Sequence, residues 1–538
     1  MTDNNINKHY AFSKSRSGET VPALRLPQGE QPLHSMVDPV REAQRLVSTI
    51  TEETGFLIFL GLGGGFIPEA ALEKPYTRAL VIDFNREGIA ELFANRDYSK
   101  LLENERFNIL IDPPGEEIKS FILEQYKPAL HGGIKTIPLR TRTEHDKSLF
   151  DSAAQAIHEA IDTVSGDYTV QAHFGKRWFS NIIRNIKSEI KNKIAEIKNE
   201  AAIAAAGPSL DTQMPIIAEY KKRGVFIIST DTAFPALAHN KIDPDLIVSI
   251  DCQHISCYHF LNYTSEQKNN SGIPLILDIA SPPMLSRLPG FSPVFYSGGH
   301  PLAVYISHTW RHFPYLDTSG GNVTYACLCA AESLGAKKIT FFGADFSYIN
   351  SQSYARGTYI YPHFEKRQTR LSPLESQFSR FLYRGNFLPN DSEQRNENKK
   401  YYETSSLRFY RKKLEEKISV MRAEIIFAKG FGAPVSINKK QSADNKKQLT
   451  ENKEKADNQS GIKFLERYCS DIAGLPLANE KENYFKKLNV KQKHVFTTLL
   501  PFMAAVKKQK PELKLKDLIE EVKINCIKEI KCVLSSGN

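Results

Sequence analysis

The sequence predicts an α/β protein, and three observations predict it. Short apolar runs alternate with helical segments, the runs end in glycine or in Ser, Thr or Asp, and beyond Tyr401 the apolar spacing becomes helical throughout. The class that follows is an N-terminal Rossmann-like unit, a central doubly wound sheet domain and a helical C-terminal region. Residues 1–167, 168–437 and 463–538 are the expected bodies, with a solvated linker at 438–462.

The first unit rests on GFLIFLG at 55–61, which has the length and composition of a buried strand. It runs into Gly61, Gly63, Gly64 and Gly65, and a second strand, RALVID, closes on Asp83. A glycine-rich turn after a strand, with an acid about 20 positions on, is the layout by which Rossmann-like domains hold a nucleotide. Glycines at such a turn also serve backbone geometry alone, so both readings stand. Next, Trp178, Ile182, Ile186, Ile190, Ile194 and Ile197 recur at three- and four-residue spacing, predicting a long amphipathic helix over 171–200.

Strands are then expected at AAIAAAG, VFIIST, LIVSID, PLILDIA and KKITFFGAD, ending at Gly207, Thr230, Asp251, Ala280 and Asp345. Such an alternation implies a mainly parallel sheet that binds ligands at the carboxyl ends of its strands. After Tyr401 come helical segments that include LEEKISVMRAEIIF. A Lys/Asn/Gln-rich stretch with few apolar residues follows as linker, and then three amphipathic segments.

Composition narrows the function classes. The 538 residues are 41% hydrophobic and 25% charged, as in a folded globular chain. The longest uncharged apolar stretch, 54–68, is broken by glycines and falls short of the roughly 18 residues of a membrane span. The start carries no apolar signal region, and the seven cysteines include no C-x-x-C pair. The expectation is a cytoplasmic protein with no membrane span, disulfide framework or zinc site. Of the net charge of +10, +8 falls beyond residue 438, so the body is nearly neutral and nucleic acid is not the expected partner. That basic end is a candidate surface for a protein acceptor.

The most informative stretch is AAIAAAGPSLDTQMP at 201–215, where small residues deliver Gly207, Pro208 and Ser209 to a turn that opens a helix at Asp211. Backbone N–H groups at such a turn suit a phosphate. Neighbouring strands end in Ser229, Thr230 and Asp231, in Asp251 and in Asp345, so one crevice would be lined by all of them. Asp231 and Asp345 are expected to face the crevice and to serve activity more than folding. The remaining histidines, His300 among them, show no repeating metal-type spacing.

GPSLD at 207–211, STDTAFPAL at 229–237, DPDLIVSID at 243–251, GGNVTYACLCAAESLGAKKITFFGADFSY at 320–348, YARG at 354–357 and the W-x-x-N-x-x-x-N of Trp178, Asn181 and Asn185 occur in this order over about half the chain. Together they resemble the motility accessory factor (Maf) family of flagellin glycosyltransferases, whose central domain is similar to bacterial sialyltransferases. The resemblance implies transfer of a nonulosonic acid of the pseudaminic or legionaminic type, from CMP to Ser or Thr of flagellin. Carried over, Gly207, Pro208, Ser209, Thr230, Asp231, Asp251, Gly320, Gly321, Asn322, Tyr348 and Tyr354 would contact the CMP-sugar. His363, with Asp231 and Asp345, would carry the catalysis. No metal or other cofactor is required by that chemistry, because the leaving group brings its own phosphate. Two readings stand beside it. One is a magnesium- and ATP-dependent hydroxymethylpterin pyrophosphokinase, which shares the G-P-S and G-x-D elements. The other is a non-catalytic nucleotide-binding factor for flagellin assembly.

Overall fold

The computed structural model describes residues 9–75, 77–187, 194, 196–197, 199–261, 272–350, 352–383, 394–396, 399–437, 460–478 and 484–535. They form two compact units: residues 1–176 with 471–528, and residues 177–470 with 529–538.

Unit 1 begins with an antiparallel sheet of β1 (Tyr10–Lys14), β2 (Thr20–Leu26) and β3 (Gly29–Pro32). Four parallel strands follow, β4 (Phe56–Leu60), β5 (Arg78–Asp83), β6 (Phe107–Ile111) and β7 (Ile134–Pro138), in the order β6-β5-β4-β7. Alternation along β4 explains its wholly apolar sequence. Leu57 and Phe59 join one core with Val21 and Leu24, while Phe56, Ile58 and Leu60 join another with Phe150, Ala153 and Ile157 of a long helix.

That helix runs over Lys147–Ile186, so it begins well before the expected 171 and stops earlier. Ile190 lies outside the described residues, and Ile194 and Ile197 follow the helix and pack on the second core.

Unit 2 is a seven-stranded, wholly parallel sheet. Its strands are β8 (Glu200–Ala204), β9 (Phe226–Thr230), β10 (Leu246–Ser249), β11 (Ile273–Asp278), β12 (Phe291–Tyr296) and β13 (Lys338–Phe342), with β17 (Glu424–Phe427) at one edge. Between β13 and β17 the chain forms a small antiparallel patch of β14 (Tyr348–Ile349), β15 (Gln394–Asn396) and β16 (Lys399–Tyr402). The large sheet has the order β12-β11-β10-β9-β8-β13-β17. Helices cover both faces. Helix Leu210–Lys222 packs on Ala202, Ala204 and Ile227, whereas helix Val323–Ser333 lies against Ile203, Ile228 and Val248. The second helix is rich in Ala and Cys on its buried face, which lets it approach the strands closely.

The architecture is thus the expected α/β class with a doubly wound central sheet and a helical C-terminal region. Two details differ. EIIF, expected at the end of a helical segment, is β17 and completes the sheet beside β13. The C-terminal helices form no body of their own. Helix Val490–Gln509 buries Phe496 and Met503 in unit 1, while Phe464 of helix Gly461–Ala473 stacks on Trp310 in unit 2. The basic end is therefore largely core on its apolar faces, not a detached tail. Of the expected linker, residues 438–459 lie outside the described residues.

Candidate functional site

In the large sheet the chain leaves β8 toward β9 and leaves β13 toward β17, so the loops after β8 and β13 part in opposite directions. A crevice opens at such a switch point. Glycines let the two strand ends meet: Gly207 N donates to Gly343 O at 2.8 Å, and Ala205 N to Phe342 O at 2.8 Å. A Cβ on Gly207 would collide with Gly343 O, and one on Gly343, held at φ +62°, would collide with Ala205 O.

Asp345 fixes the turn. It is 5% exposed, and its Oδ2 accepts the Ser209 N–H at 2.8 Å, with the Gly432 N–H also on the carboxyl. Ser209 Oγ accepts the Phe431 N–H at 2.9 Å. One carboxylate therefore ties together the loops after β8, β13 and β17. Burial pushes its pKa up, against the pull of these donors.

Beside this staple lies a cavity of about 270 Å³. Gly207, Thr230 and Thr232 line it from the ends of β8 and β9. Asn322, Val323 and Thr324 line it at the start of helix Val323–Ser333, Tyr348 and Tyr354 follow β13, and Tyr410 leans in from helix Ser405–Val420. Asn322 caps its helix by accepting the Tyr325 N–H at 3.0 Å, and its Nδ2 donates to Gly320 O. The N–H groups of the first helical turn have no acceptor within the helix. Among the described residues that line it there is neither lysine nor arginine, and Asp345 is the one carboxylate. Burial, and then the nearby Asp251, push the Tyr410 phenol up.

Of the residues singled out in the sequence, the cavity gathers Gly207, Thr230, Asn322, Asp345, Tyr348 and Tyr354. The others sit behind or beside it. Ser209 and Pro208 are buried in the turn. Asp231, 2% exposed, points back into the protein, where its Oδ2 accepts Ser249 Oγ–H at 2.7 Å and its Oδ1 the Thr232 N–H at 2.6 Å. Asp251 accepts the Gln253 N–H, and burial raises its pKa, with Asp231 adding to the rise. Gly320 makes room for the Tyr325 ring, and Gly321, at φ +71°, faces the Tyr410 ring. His363 is exposed on the short helix Ile360–Glu365 beside Phe364 and lines no part of the cavity, so the expected base stands away from it.

Thr232, Ser347, Ser353 and Tyr410 line the cavity without having been singled out. Tyr410 sits in an apolar stripe with Leu407 and Leu414, which reads as ordinary core spacing. Nothing in that spacing marks the first turns of its helix as part of a cavity wall. The W-x-x-N-x-x-x-N residues brace the sheet edge instead. Asn181 Nδ2 donates to Cys252 O and Ala280 O, and Asn185 Nδ2 to Ile279 O and Ser281 O.

The glycine turn of unit 1 is filled by its own side chains. Leu62 N donates to Asp83 Oδ2 at 2.7 Å, Gly64 N to His34 Nε2 at 2.8 Å, and Tyr98 Oη to Gly63 O at 2.6 Å. Arg142, fully buried, sits 3.0 Å from Asp83 Oδ1 and donates to Phe84 O.

Residues 176–351 match the family model described as 6-hydroxymethylpterin diphosphokinase MptE-like. An uncharacterized protein of Treponema pallidum (strain Nichols) is 44% identical over 117 residues, 21% of this chain and 41% of that protein. A second from the same organism is 31% identical over 180 residues, 31% of this chain and 83% of that protein. The chain thus spans under half of the first relative and most of the second. Among solved structures, the Maf glycosyltransferase from Magnetospirillum magneticum AMB-1 shares the fold with a TM-score of 0.57 and 14% identity, over 98% of this chain and 92% of that one. Among the described residues, no helix is long and apolar enough to cross a membrane, and no three His, Cys, Asp or Glu side chains converge as a metal site.

Proposed function

The chain belongs to the family of the Treponema pallidum protein that it matches at 31% identity over 83% of that protein, and we propose that it is a glycosyltransferase of the Maf type. It moves a nonulosonic acid, of the pseudaminic or legionaminic type, from CMP to a Ser or Thr hydroxyl of flagellin in the cytoplasm. The single observation that carries this reading is the composition of the cavity at the β8/β13 switch point: one helix N-terminus, several neutral hydroxyls and, among the described residues, no cationic side chain.

Such a lining fits one phosphate better than three. The N-terminus of an 11-residue helix supplies free N–H groups and about half a positive charge. Tyr348, Tyr354 and Tyr410 add phenolic donors. As the bond from the anomeric carbon to the phosphate breaks, negative charge grows on the leaving nucleoside monophosphate. Fixed neutral donors stabilise that charge without reorganisation. The sugar carries the opposite, oxocarbenium-like charge. Gly207 and Thr230 would hold the nucleoside side, and Asp345 acts as a positioning residue through Ser209. No metal is needed, since the phosphate leaves as a monoester already bonded to cytidine. Likeness of the whole chain to the Magnetospirillum glycosyltransferase in fold supports the same reading.

The match of residues 176–351 to the MptE-like model favours a second reading, pyrophosphate transfer from magnesium-ATP. That chemistry draws on carboxylates that hold magnesium and cations that neutralise a triphosphate. The one carboxylate among the described lining residues is already engaged by Ser209. Calorimetric titration decides between them. Transfer predicts micromolar binding of CMP that EDTA leaves unchanged. Absence of cytidine nucleotide binding, with magnesium-dependent ATP binding in its place, would sink the glycosyltransferase reading.

A further inference from the structure

Three strands of unit 2 beyond the cavity also end at the same edge of the sheet, and the end of β11 and the loop after β12 bring together a pair of groups that the cavity does not use. Asp278 closes β11 and is 1% exposed. Its Oδ1 accepts the Ala280 N–H at 2.7 Å, and the Gly298 N–H also bonds the carboxyl. The His300 Nε2 stands 3.7 Å from that Oδ1, and the His300 ring packs against Trp178 with centroids 4.3 Å apart. Gly298 is what allows the loop after β12 to fold onto the acid, because a Cβ there would collide with Asp278 Oδ2.

The pair is close to the cavity along the edge. β11 lies two strands from β9, roughly 10 Å at the usual strand spacing. A Cβ at Gly298 would also stand 3.4 Å from Thr318 Oγ1, and Thr318 O accepts the Gly321 N–H. Residues 318–322 thus run from the pair to Asn322 in the cavity wall. Asp278, satisfied by two backbone donors and facing an imidazole, has the arrangement that holds a histidine in one orientation for proton transfer. His300, 20% exposed, is the member that reaches solvent.

We propose that Asp278 and His300 are the proton-accepting pair on the acceptor side of this sheet edge. The assignment rests on the glycosyl-transfer reading of the neighbouring cavity. As the acceptor oxygen bonds to the anomeric carbon, the C–O bond to the phosphate breaks and its electron pair leaves with the nucleoside monophosphate. The hydroxyl proton passes to the His300 ring nitrogen turned away from Asp278, and the carboxylate balances the ring's charge. Burial pushes the Asp278 carboxyl up and His300 opposes that rise; among the described residues Asp278 is the acid paired with the ring, Trp178 is neutral, and its neighbour Arg177 acts on Asp251.

The test compares full-length wild type, His300→Gln, His300→Ala and Asp278→Asn in transfer from CMP-pseudaminic acid to flagellin and in calorimetric titration with CMP. His300→Gln is expected to lower kcat by about 10²-fold or more. It should leave the Kd for CMP and the melting temperature unchanged and remove the decline of kcat on the acid side. Imidazole in the buffer should restore part of the kcat of His300→Ala. Asp278→Asn should move the acid limb to lower pH, because a protonated ring loses its counter-charge. If Asp278→Asn fails to fold, the His300 variants still decide. A His300→Gln enzyme within about threefold of wild type, with its acid limb intact, overturns this assignment alone. Wild type that transfers nothing overturns the assignment together with the transferase reading.

Discussion

At the carboxyl edge of the unit 1 sheet, the Arg142 side chain, which follows β7, passes Gly61 at the end of β4 and bonds through its guanidinium to Asp83, Asp146 and Phe84 O. At the corresponding gap in unit 2, between β8 and β13, a carboxylate also staples a glycine turn, but among the described residues no side chain fills the space beside it and a cavity remains. Both gaps arise for one reason, a strand order that reverses beside the first strand. The difference lies in what the following segment brings. In unit 1 the first residues after β7 deliver an arginine, and His34 takes the Gly64 N–H that a phosphate would otherwise take. The acid that would hold a ribose is paired with Arg142, and two amides that would hold an anion, Leu62 N–H and Gly64 N–H, are taken by Asp83 and His34. A Rossmann-like turn is thus not sufficient for a nucleotide site: here the Leu62 and Gly64 amides and the Asp83 carboxyl bond groups of the protein itself.

The largest expected effect comes from breaking the filled gap. Arg142→Met leaves Asp83 buried without its partner, and unpairing a buried ion pair costs about 3–5 kcal/mol. Burial pushes the Asp83 carboxyl up, and Arg142 opposes that rise. With the arginine gone the folded-state pKa stays well above the unfolded value. A raised carboxyl contributes stability at low pH that is lost as pH rises, so the variant should be closer to wild type at pH 5 than at pH 7. Urea denaturation at the two pH values checks this. Nucleotide titration of Arg142→Met with Asp83→Asn sharpens the comparison: no new binding is expected, because His34 and Tyr98 still occupy the glycine turn.

Acid is the next lever, and it works in opposite directions in the two units. Burial, followed by Arg96, lowers His34 to about 3, so it stays neutral as the acceptor for Gly64. The folded pKa lies below the unfolded value of about 6.5. Its stabilising contribution is therefore present above pH 6.5 and is lost as pH falls toward 3, on the order of 3 kcal/mol by pH 4. Burial lowers His131, also in unit 1, in the same direction, to about 4. Asp345 in unit 2 has a raised pKa, and that effect favours the folded state at low pH. Hydrogen exchange read by mass spectrometry at pH 7 and pH 4 should show the glycine turn of unit 1 losing protection before the Gly207 turn of unit 2. Loss of protection in the reverse order would mean that His34 does not hold the filled gap.

How much of this was legible in the sequence follows from distance along the chain. FLIFL, RALVID and the strands ending at Thr230, Asp251 and Asp345 are near-continuous apolar runs, as strands buried on both faces must be, and they were read correctly. β12 was missed because FSPVFY contains Ser and Pro, and EIIF because it follows a helix directly. In the site, the turn glycines were legible because their local geometry demands them. The direction of a carboxylate was not. Asp231 and Asp345 both end apolar strands, yet each bonds groups that the strand sequence cannot show, Ser249 Oγ in one case and Ser209 N in the other. Asp345 therefore supports folding as well as the site. His363 was chosen from its neighbourhood in sequence, whereas His300 meets Asp278 only because β11 and β12 are paired.

The smallest expected effect probes the open gap itself. Tyr410 places its ring beside Gly321 and lines the cavity, and burial together with Asp251 keeps its phenol protonated through neutral pH. Tyr410→Phe preserves the ring and removes one donor. If that donor meets the phosphate of the bound nucleotide, the loss is that of one hydrogen bond, about 0.5–1.5 kcal/mol. The Kd for CMP should then rise about 3- to 10-fold, with the melting temperature unchanged. A fall in kcat at constant Kd would place the hydroxyl on the charge that develops as the sugar–phosphate bond breaks, since only a group bonded more strongly in the transition state changes kcat alone. A lower melting temperature at constant Kd and kcat would make Tyr410 part of the wall, and the open gap would then rely on the helix N-terminus and the other hydroxyls for its anion. The three outcomes separate in two measurements, thermal melting and a CMP titration paired with initial rates. They also decide whether the segment after β16 completes the unit 2 site in the way that Arg142, after β7, closes the gap in unit 1.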